Sequence, residues 1–263
     1  MLEESSLILS VNAGSSSLKI SLFRKVKVAG RQNEPIDLLL TSSISSISSP
    51  PAKFSFENVS SVTKGNQERE VFSITDHATA FSHFLDVLKE ASIDRNEIRY
   101  VCHRVVHGGD YTDPVIIDKE SYHHIETLSA LAPLYFFFVF GDEENNWPAP
   151  RHNRSALSVI QACTEELPST KSIAYFDTAF HRSIPFRIAS YAIDQKVAKA
   201  KKLKKYGFHG LSCKLFNSFQ EGLFMRCVDA FILRSVAQHL QKVTPTDFIL
   251  WTISKRVSGP SIP

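Results

Sequence analysis

The chain has 263 residues, of which 43% are hydrophobic, so it can build one large domain or two smaller ones around an ample core. Its formal net charge of only +3 excludes a strongly basic protein that is drawn to nucleic acid or to an anionic membrane by bulk charge. The four cysteines form no CxxC pair and show no metal-ligand spacing, which favours reduced thiols in a cytoplasmic protein.

A β-hairpin is the first predicted element. Leu7–Val11 is a short apolar run, the turn-rich letters NAGSSS follow it, and Leu18, Ile20 and Leu22 then alternate with polar residues. The residues before the hairpin lack the basic region and the long apolar core of a secretion signal. We therefore expect no signal peptide.

The turn of this hairpin is the first candidate site. Gly14, Ser15 and Ser16 would expose backbone N–H groups and hydroxyls that suit phosphate oxygens. Asn12 offers a carboxamide oxygen to Mg²⁺ or its waters, and Lys19 offers a positive charge to phosphate. A plain hairpin turn explains the same residues, because the stretch is neither a Walker A loop nor a GxGxxG motif.

Two contrasting segments follow the hairpin. Residues 41–70 are rich in serine and poor in large apolar side chains, which predicts a loop or a disordered insertion. An amphipathic helix is predicted next, with its N-cap at Thr75 or Asp76. Its apolar positions at helical spacing are Phe81, Phe84, Leu85 and Leu88.

The second candidate site lies at the end of the next predicted strand, Arg99–Val106. Arg104 could reach a carboxylate or a phosphate with two parallel donors, and the loop that follows begins with His107. Gly108 and Gly109 would let the backbone come close to a ligand. An arginine in a salt bridge beside an ordinary turn fits the same letters.

Two further candidates follow a helix predicted at Asn153–Leu167. Asp177 comes directly after the short apolar strand Ile173–Phe176, at the strand end where α/β folds bind ligands. A helix N-cap is the alternative role for this carboxylate. His209 lies between two glycines in YGFHG and could stabilise a charged transition state, although a lone histidine there is also typical of an ordinary loop.

Lysines crowd the predicted helix Gln195–Lys204, and a solvated helix face explains them better than contact with RNA or an acidic partner. The alternation of strands and helices along the chain favours an α/β fold.

Taken in order, NAGSSSLK, HRVVHGG, LAPL, FDTAFH and YGFHG resemble the acetate kinase (acetokinase) family of the acetate and sugar kinase/Hsp70/actin superfamily. The resemblance runs from about Leu7 to Ser212 and resumes at Ala230–Lys242, and the Ser-rich insertion gives the chain a fungal look. It implies a ribonuclease-H-like, actin-like ATPase domain with a mixed sheet and flanking helices. It also implies reversible, Mg²⁺-dependent transfer of a phosphoryl group between ATP, or in some relatives pyrophosphate, and acetate.

The resemblance also implies roles for single residues. Asn12 would help to hold Mg²⁺, and Lys19 would meet the phosphates. Arg104 would bind the acetate carboxylate or the moving phosphoryl group. Asp177 would be the essential carboxylate, and His209 would stabilise the transition state. Phosphoryl transfer of this kind depends on in-line positioning and on cations at the equatorial oxygens.

By the same resemblance, Val106 and Leu134 would line a small pocket for the methyl group of acetate. A kinase for propionate or butyrate is the enzyme alternative, and the size of this pocket would decide between them. The family forms homodimers through its C-terminal domain, so we expect the dimer contacts to be largely absent here. No nucleic-acid or membrane partner is expected.

Two stretches interrupt the family pattern. Removing residues 135–151 gives LAPLHNRSALSVIQA, the family pattern, and removing residues 213–229 rejoins HGLS to AFILR through a tyrosine codon. Because the codons at these borders permit splice signals, we interpret both stretches as retained introns, with genuine insertions as the alternative. Tyr135–Phe140 is too short for a membrane span, which needs about 20 apolar residues.

We accordingly expect residues 1–212 to form an N-terminal domain and residues 230–263 to be the start of a largely missing C-terminal domain with a divergent tail. Both lobes must close over the nucleotide for phosphoryl transfer, so we expect the chain as written to be inactive. A non-catalytic remnant that acts as a binding module is the alternative from a different functional class.

Overall fold

The computed structural model describes residues 6–25, 36–59, 67–129 and 153–213. Leu134, both interruptions apart from Cys213, and the tail 230–263 lie outside these residues. The strands are β1 (Leu7–Ala13), β2 (Leu18–Lys25), β3 (Ile36–Ser45), β4 (Ala52–Asn58), β5 (Gln67–Val71), β6 (Ile98–Val105), β7 (Val115–Ile116) and β8 (Lys171–Phe176). The helices are α1 (His77–Glu90), α2 (Lys119–Ser129), α3 (Arg154–Glu166), α4 (Phe186–Ala189) and α5 (Gln195–Ala200).

All eight strands belong to one mixed sheet with the order β5-β4-β3-β2-β1-β6-β8-β7. Strands β1, β6 and β8 run parallel, and every other neighbouring pair is antiparallel. The carboxyl ends of the three parallel strands therefore meet at one edge of the sheet. Such an edge is where α/β sheets bind ligands.

Alternation along β1 decides which face of the sheet is the core. Leu7, Leu9 and Val11 are buried against the apolar stripe of α1, and α3 extends the same layer. The opposite face of β1 carries Ile8, Ser10 and Asn12. The central sheet with helices on it confirms the predicted α/β class.

The hairpin and the first helix form where the sequence predicts them. β1 pairs with β2 from Leu7↔Arg24 to Ala13↔Leu18. Asp76 is the N-cap of α1: its carboxylate accepts from the Thr79 N–H at 2.7 Å, and the Asp76 N–H donates to the Thr79 hydroxyl at 3.1 Å. This reciprocal capping box lowers the pKa of Asp76, chiefly through the Thr79 backbone bond.

Over its described residues, 41–59 and 67–70, the prediction of a loop or disordered insertion at 41–70 is wrong. Most of its described residues lie in β3, β4 and β5, which extend the sheet beyond β2. Leu40 and Ile44 point into the core while Thr41 and Ser43 point away, so a period of two was present beneath the serine-rich composition. Register with neighbouring strands overrides the weak strand propensity of serine.

The basic helix is shorter than predicted. Helix α5 ends at Ala200, and Lys202 has a positive φ of 52° that no helix continues through. Lys196 and Lys199 are exposed, as the solvated-face interpretation expects.

Within the described ranges, no helix is both long enough and apolar enough to cross a membrane.

Candidate active site

Three candidate residues lie at the shared carboxyl edge of the parallel strands. Asn12 is near the end of β1, Arg104 is near the end of β6, and Asp177 directly follows β8. Because Val11 is in register with His103, Asn12 comes beside Arg104 on the sheet face opposite α1. Three motifs that are far apart in the sequence therefore meet at one place.

Arg104 and Asp177 form the central contact. The guanidinium Nε donates to both carboxylate oxygens at 3.3 and 3.2 Å, and Nη2 donates to Oδ2 at 2.7 Å. The Asp177 side chain has no exposed surface and the Arg104 side chain is 15% exposed. A buried carboxylate needs such charge-assisted bonds, since an unpaired one would be costly to bury.

The same guanidinium reaches the other two candidates. Its Nη1 donates to Asn12 Oδ1 at 3.1 Å, and its Nη2 lies 3.5 Å from His209 Nδ1. Asp177 Oδ1 also accepts the N–H of Leu211 at 3.3 Å, which ties the YGFHG segment to the end of β8. Asn12, Arg104, Asp177 and His209 thus form one hydrogen-bonded group around Arg104.

Glycines shape the segment that presents His209. A Cβ on Gly210 would lie 1.9 Å from the Asp177 carbonyl oxygen, so only glycine permits this approach. A Cβ on Gly207 would lie 2.4 Å from the ring of His181, whose Nε2 is 2.9 Å from the Phe208 carbonyl oxygen. His209 itself has a positive φ of 55°, which is uncommon outside glycine and indicates a backbone held by its surroundings.

Lys204 and Asp110 fasten the same segment to the loop after β6. Lys204 Nζ is 2.6 Å from Asp110 Oδ1, and this bond is the main cause that lowers the pKa of Asp110. The His107 ring packs on Tyr206 with centroids 4.4 Å apart and on Phe208 at 5.8 Å. Sequence analysis missed this clasp, by which we mean the Lys204–Asp110 ion pair and the ring contacts of His107, because the paired residues are far apart in the sequence and no local pattern links them.

The His107-Gly108-Gly109 loop is held in place by Phe176 and Asn153. A Cβ on Gly108 would lie 2.3 Å from the Phe176 ring, so this glycine permits close packing on β8. The side chain of Asn153 is fully buried; its Oδ1 accepts from the His107 N–H at 3.0 Å and its Nδ2 donates to the His107 carbonyl at 2.8 Å. Sequence analysis placed Asn153 only at a helix start and missed this bridge.

The turn after β1 keeps its carbonyl groups bonded to the protein. The Gly14 N–H donates to the Ser17 carbonyl at 2.8 Å, and the Ser16 carbonyl accepts from the Ile47 N–H at 3.1 Å. Ser15 and Ser16 are exposed. Lys19 is also exposed and is the register partner of Asn12, so its side chain lies on the same face as Arg104.

His103 takes no part in this group despite its place in HRVVHGG. It is 1% exposed, and burial lowers its pKa to about 3, so the ring is neutral near pH 7. Its Nε2 is 3.2 Å from the Ser172 hydroxyl, while Nδ1 has no partner within the described residues.

The expected methyl pocket is only partly within the described residues. Val106 is half-buried just after β6, two residues beyond Arg104. Leu134 lies outside the described residues, so the wall that it would supply stays a prediction.

The described side chains contain no cluster of three or more histidine, cysteine, aspartate or glutamate residues that could hold a metal. The hard oxygens beside Arg104 are those of Asn12 and Asp177. The Asp177 oxygens are fully buried and bonded to Arg104 and Leu211, so the Asn12 oxygen is the ligand that suits a Mg²⁺ ion whose shell is completed by waters and substrate phosphates.

Comparison with known proteins identifies related sequences. The sequence profile described as the acetokinase family matches residues 7–137 and 143–241. A probable acetate kinase of Emericella nidulans is 37% identical over 258 residues, which cover 97% of this chain and 51% of that protein. An acetate kinase of Anoxybacillus flavithermus is 34% identical over 238 residues, which cover 89% of this chain and 51% of that protein.

Solved structures show the same relationship. A propionate kinase from Francisella tularensis matches with a TM-score of 0.61 and 29% identity, covering 80% of this chain and 46% of that chain. The acetate kinase of Porphyromonas gingivalis matches with a TM-score of 0.59 and 25% identity, covering 81% of this chain and 49% of that chain. The chain spans about half the length of the relatives it matches.

Proposed function

The chain belongs to the acetokinase family, and from this premise we propose that it supplies the anion-binding half of a phosphotransferase site that forms acetyl phosphate from acetate and ATP. The observation that carries the proposal is the hydrogen-bonded group of Asn12, Arg104, Asp177 and His209. Three residues from distant motifs contact the guanidinium of Arg104. That convergence suits a reaction that needs positioned charge rather than a protein nucleophile.

Arg104 is the proposed anion-binding residue. A guanidinium presents a fixed fork of donors that fits either a carboxylate or the equatorial oxygens of a phosphoryl group. Asp177 holds two nitrogens of this fork and is itself fully buried, so its proposed role is to fix the orientation of Arg104. A donor fixed before the substrate arrives costs little reorganisation in the transition state.

The proposed role of His209 is to donate a hydrogen bond to charge that develops on the transferring group. Its Nδ1 lies 3.5 Å from Arg104 Nη2, so the far side of the ring is left for a ligand. The Gly210 contact and the Lys204 clasp hold the backbone that presents the ring. A histidine on a fixed backbone loses little freedom when it binds a ligand.

The turn 14–17 and Lys19 are the proposed phosphate-binding elements. Ser15 and Ser16 are exposed at the turn, and Lys19 stands on the same sheet face as Arg104. Exposed N–H groups, hydroxyls and an ammonium group together suit a polyphosphate. Pyrophosphate as the phosphoryl donor would meet the same groups.

Mg²⁺ fits this arrangement through the Asn12 carboxamide oxygen, which has a second lone pair beside its bond from Arg104, with waters and phosphate oxygens as its remaining ligands. When bound, the ion would neutralise charge on the phosphates. In the protein, Arg104 Nη1 donates to the Asn12 carboxamide oxygen and so holds it at this edge of the sheet.

The length of the acyl chain is the feature that distinguishes the candidate acid substrates from one another. We propose that Val106, together with Leu134, limits the acyl pocket to a group near the size of acetate. One solved relative is a propionate kinase, so a slightly larger acid is the competing substrate.

Homodimer formation through a C-terminal domain and a cytoplasmic location remain proposals that rest on the family alone.

A binding module without turnover is the second candidate function. The relatives are about twice as long as this chain, so the groups described here correspond to part of their length. Such a chain would hold ATP or pyrophosphate and would not transfer the phosphoryl group.

Binding and activity assays on the purified protein decide between the phosphotransferase and the binding module. We expect MgATP to bind, measured by isothermal titration calorimetry, and we expect no acetyl phosphate in a hydroxamate assay. Binding that is lost in the Arg104→Met variant but kept in a His123→Leu variant, changed at an exposed side chain of α2, supports the site. Turnover would establish the kinase itself, and absence of any MgATP binding would overturn the proposed function.

A further inference from the structure

We propose that His77 is a positioning residue for the phosphate-binding turn, and this inference rests on the proposed function. His77 is the first residue of α1 and lies 63 positions from Gly14 in the sequence. Its Nε2 is 2.7 Å from the Gly14 carbonyl oxygen. The ring nitrogen is the donor in this bond, since a carbonyl can only accept.

His77 completes a set of bonds that turns all the carbonyls of the tight turn toward the protein. The Ser16 carbonyl accepts from the Ile47 N–H, and the Ser15 carbonyl accepts from the Ser48 hydroxyl at 3.5 Å. The Ser17 carbonyl accepts from the Gly14 N–H. The Gly14 carbonyl is the fourth, and His77 is its partner.

The amide side of the turn is left open by the same arrangement. In the described part of the chain, the N–H groups of Ser15 and Ser16 donate to no protein acceptor, and both residues are exposed. A row of outward N–H groups above bonded carbonyls forms a concave anion site. Rotating the Gly14 peptide would exchange a donor for an acceptor and repel phosphate.

His77 is built to hold this position rather than to bind ligand itself. It is only 8% exposed, and the capping box of Asp76 and Thr79 fixes the backbone from which it projects. A Cβ on Gly14 would lie 2.8 Å from Ser17 Oγ, so a larger residue there would displace the Ser17 side chain. The ring therefore acts on phosphate through the turn.

The test uses inorganic pyrophosphate as the probe and calorimetric affinity as the readout. His77→Leu removes the donor and should weaken pyrophosphate binding about tenfold, the scale of one net hydrogen bond. His77→Gln places an amide N–H near the same point and should bind within about twofold of the unaltered chain. His77→Asn is too short to reach Gly14 and serves as the donor-free variant if leucine prevents folding.

His123→Leu, at a side chain that is 75% exposed on α2, is the matched control and should bind pyrophosphate normally. Thermal unfolding followed by circular dichroism separates folding from positioning, because affinity is compared only below the melting transition. Equal affinity of the folded leucine or asparagine variant and the unaltered chain would overturn the inference, as would a glutamine variant as weak as leucine. If the unaltered chain itself fails to bind pyrophosphate, the proposed phosphate-binding turn is overturned together with the role of His77. If only the variants fail to differ from the unaltered chain, the role of His77 alone is overturned.

Discussion

Arg104 is the residue through which the other candidate side chains interact. It donates to Asp177 and Asn12 and lies next to His209. Asp177 is fully buried, and this guanidinium is its one ion-pair partner among the described residues. Loss of the arginine should therefore affect both stability and ligand binding.

A double-mutant cycle tests this dependence. Arg104→Met should lower the free energy of unfolding by about 3–5 kcal/mol, because it leaves a buried carboxylate unpaired. Arg104→Met combined with Asp177→Asn should cost clearly less than the sum of the two single changes, because no buried charge is left over. Urea unfolding at pH 7 measures both, and strictly additive costs would contradict the coupling.

Burial of His103 predicts a dependence of stability on pH. Its pKa is lowered to about 3 in the folded protein, whereas an unfolded histidine titrates near 6.5. Between these values the unfolded chain binds the extra proton, so stability is complete above about pH 6.5 and falls as the pH drops toward 3. Each pH unit in this window should cost about 1.4 kcal/mol.

Urea unfolding at pH 7, 6 and 5 checks this slope. His103→Asn removes the titrating ring and should flatten the curve between pH 6.5 and 5, whatever its stability at pH 7. His123→Asn, at an exposed position, should leave the slope unchanged. A slope that survives in His103→Asn would assign the effect to another group.

At the scale of elements, β3 shows how a buried serine fits between apolar neighbours. Ser42 lies on the core side between Leu40 and Ile44, is 5% exposed, and its hydroxyl has no partner in the described part of the chain. An unpaired buried hydroxyl is destabilising. The strand keeps it because its register with β2 and β4 places position 42 inward.

Ser42→Ala should therefore raise the free energy of unfolding by about 1 kcal/mol, since it removes the unpaired hydroxyl at little cost in volume. Ser43→Ala, one residue along and on the opposite face, should change stability by less than about 0.5 kcal/mol. Chemical denaturation of the two variants side by side gives the comparison. A destabilised Ser42→Ala would indicate that the hydroxyl has a partner.

Elements with a local signal could be predicted from the sequence. The hairpin follows from alternation around NAGSSS, and α1 follows from its apolar spacing and the Asp76 cap. The serine-rich composition does not predict strand β3, because one of its inward positions, between Leu40 and Ile44, is itself a serine. The sequence predicts too long a helix α5, because lysines continue past Ala200 without a helix-breaking residue until Gly207.

The candidate site was predictable only in part, for a related reason. Asn12, Arg104 and Asp177 each stand at or just after a strand end, and that position is visible in the sequence. Asn153, His77 and the Asp110–Lys204 pair act across 46 to 94 residues, through bonds that no short pattern encodes. Only the folded sheet brings these partners together.

At the scale of the whole molecule, the three parallel strands decide where the candidate site lies. They end at one edge, and the first hairpin turn lies at the same edge because β2 returns from it. The helices α1 and α3 cover one face, which leaves Asn12, Arg104 and Lys19 on the other. The chain spans about half the length of its relatives.

The hydrogen-bonded guanidinium of Arg104 also provides an NMR signal that reports anion binding. Its Nε–H points at a buried carboxylate, so nitrogen-15 labelling should give this proton a resonance well separated from those of solvated arginines. Any anion that draws the guanidinium away from Asp177 would move that signal. Occupancy could thus be followed at one nucleus without an attached dye.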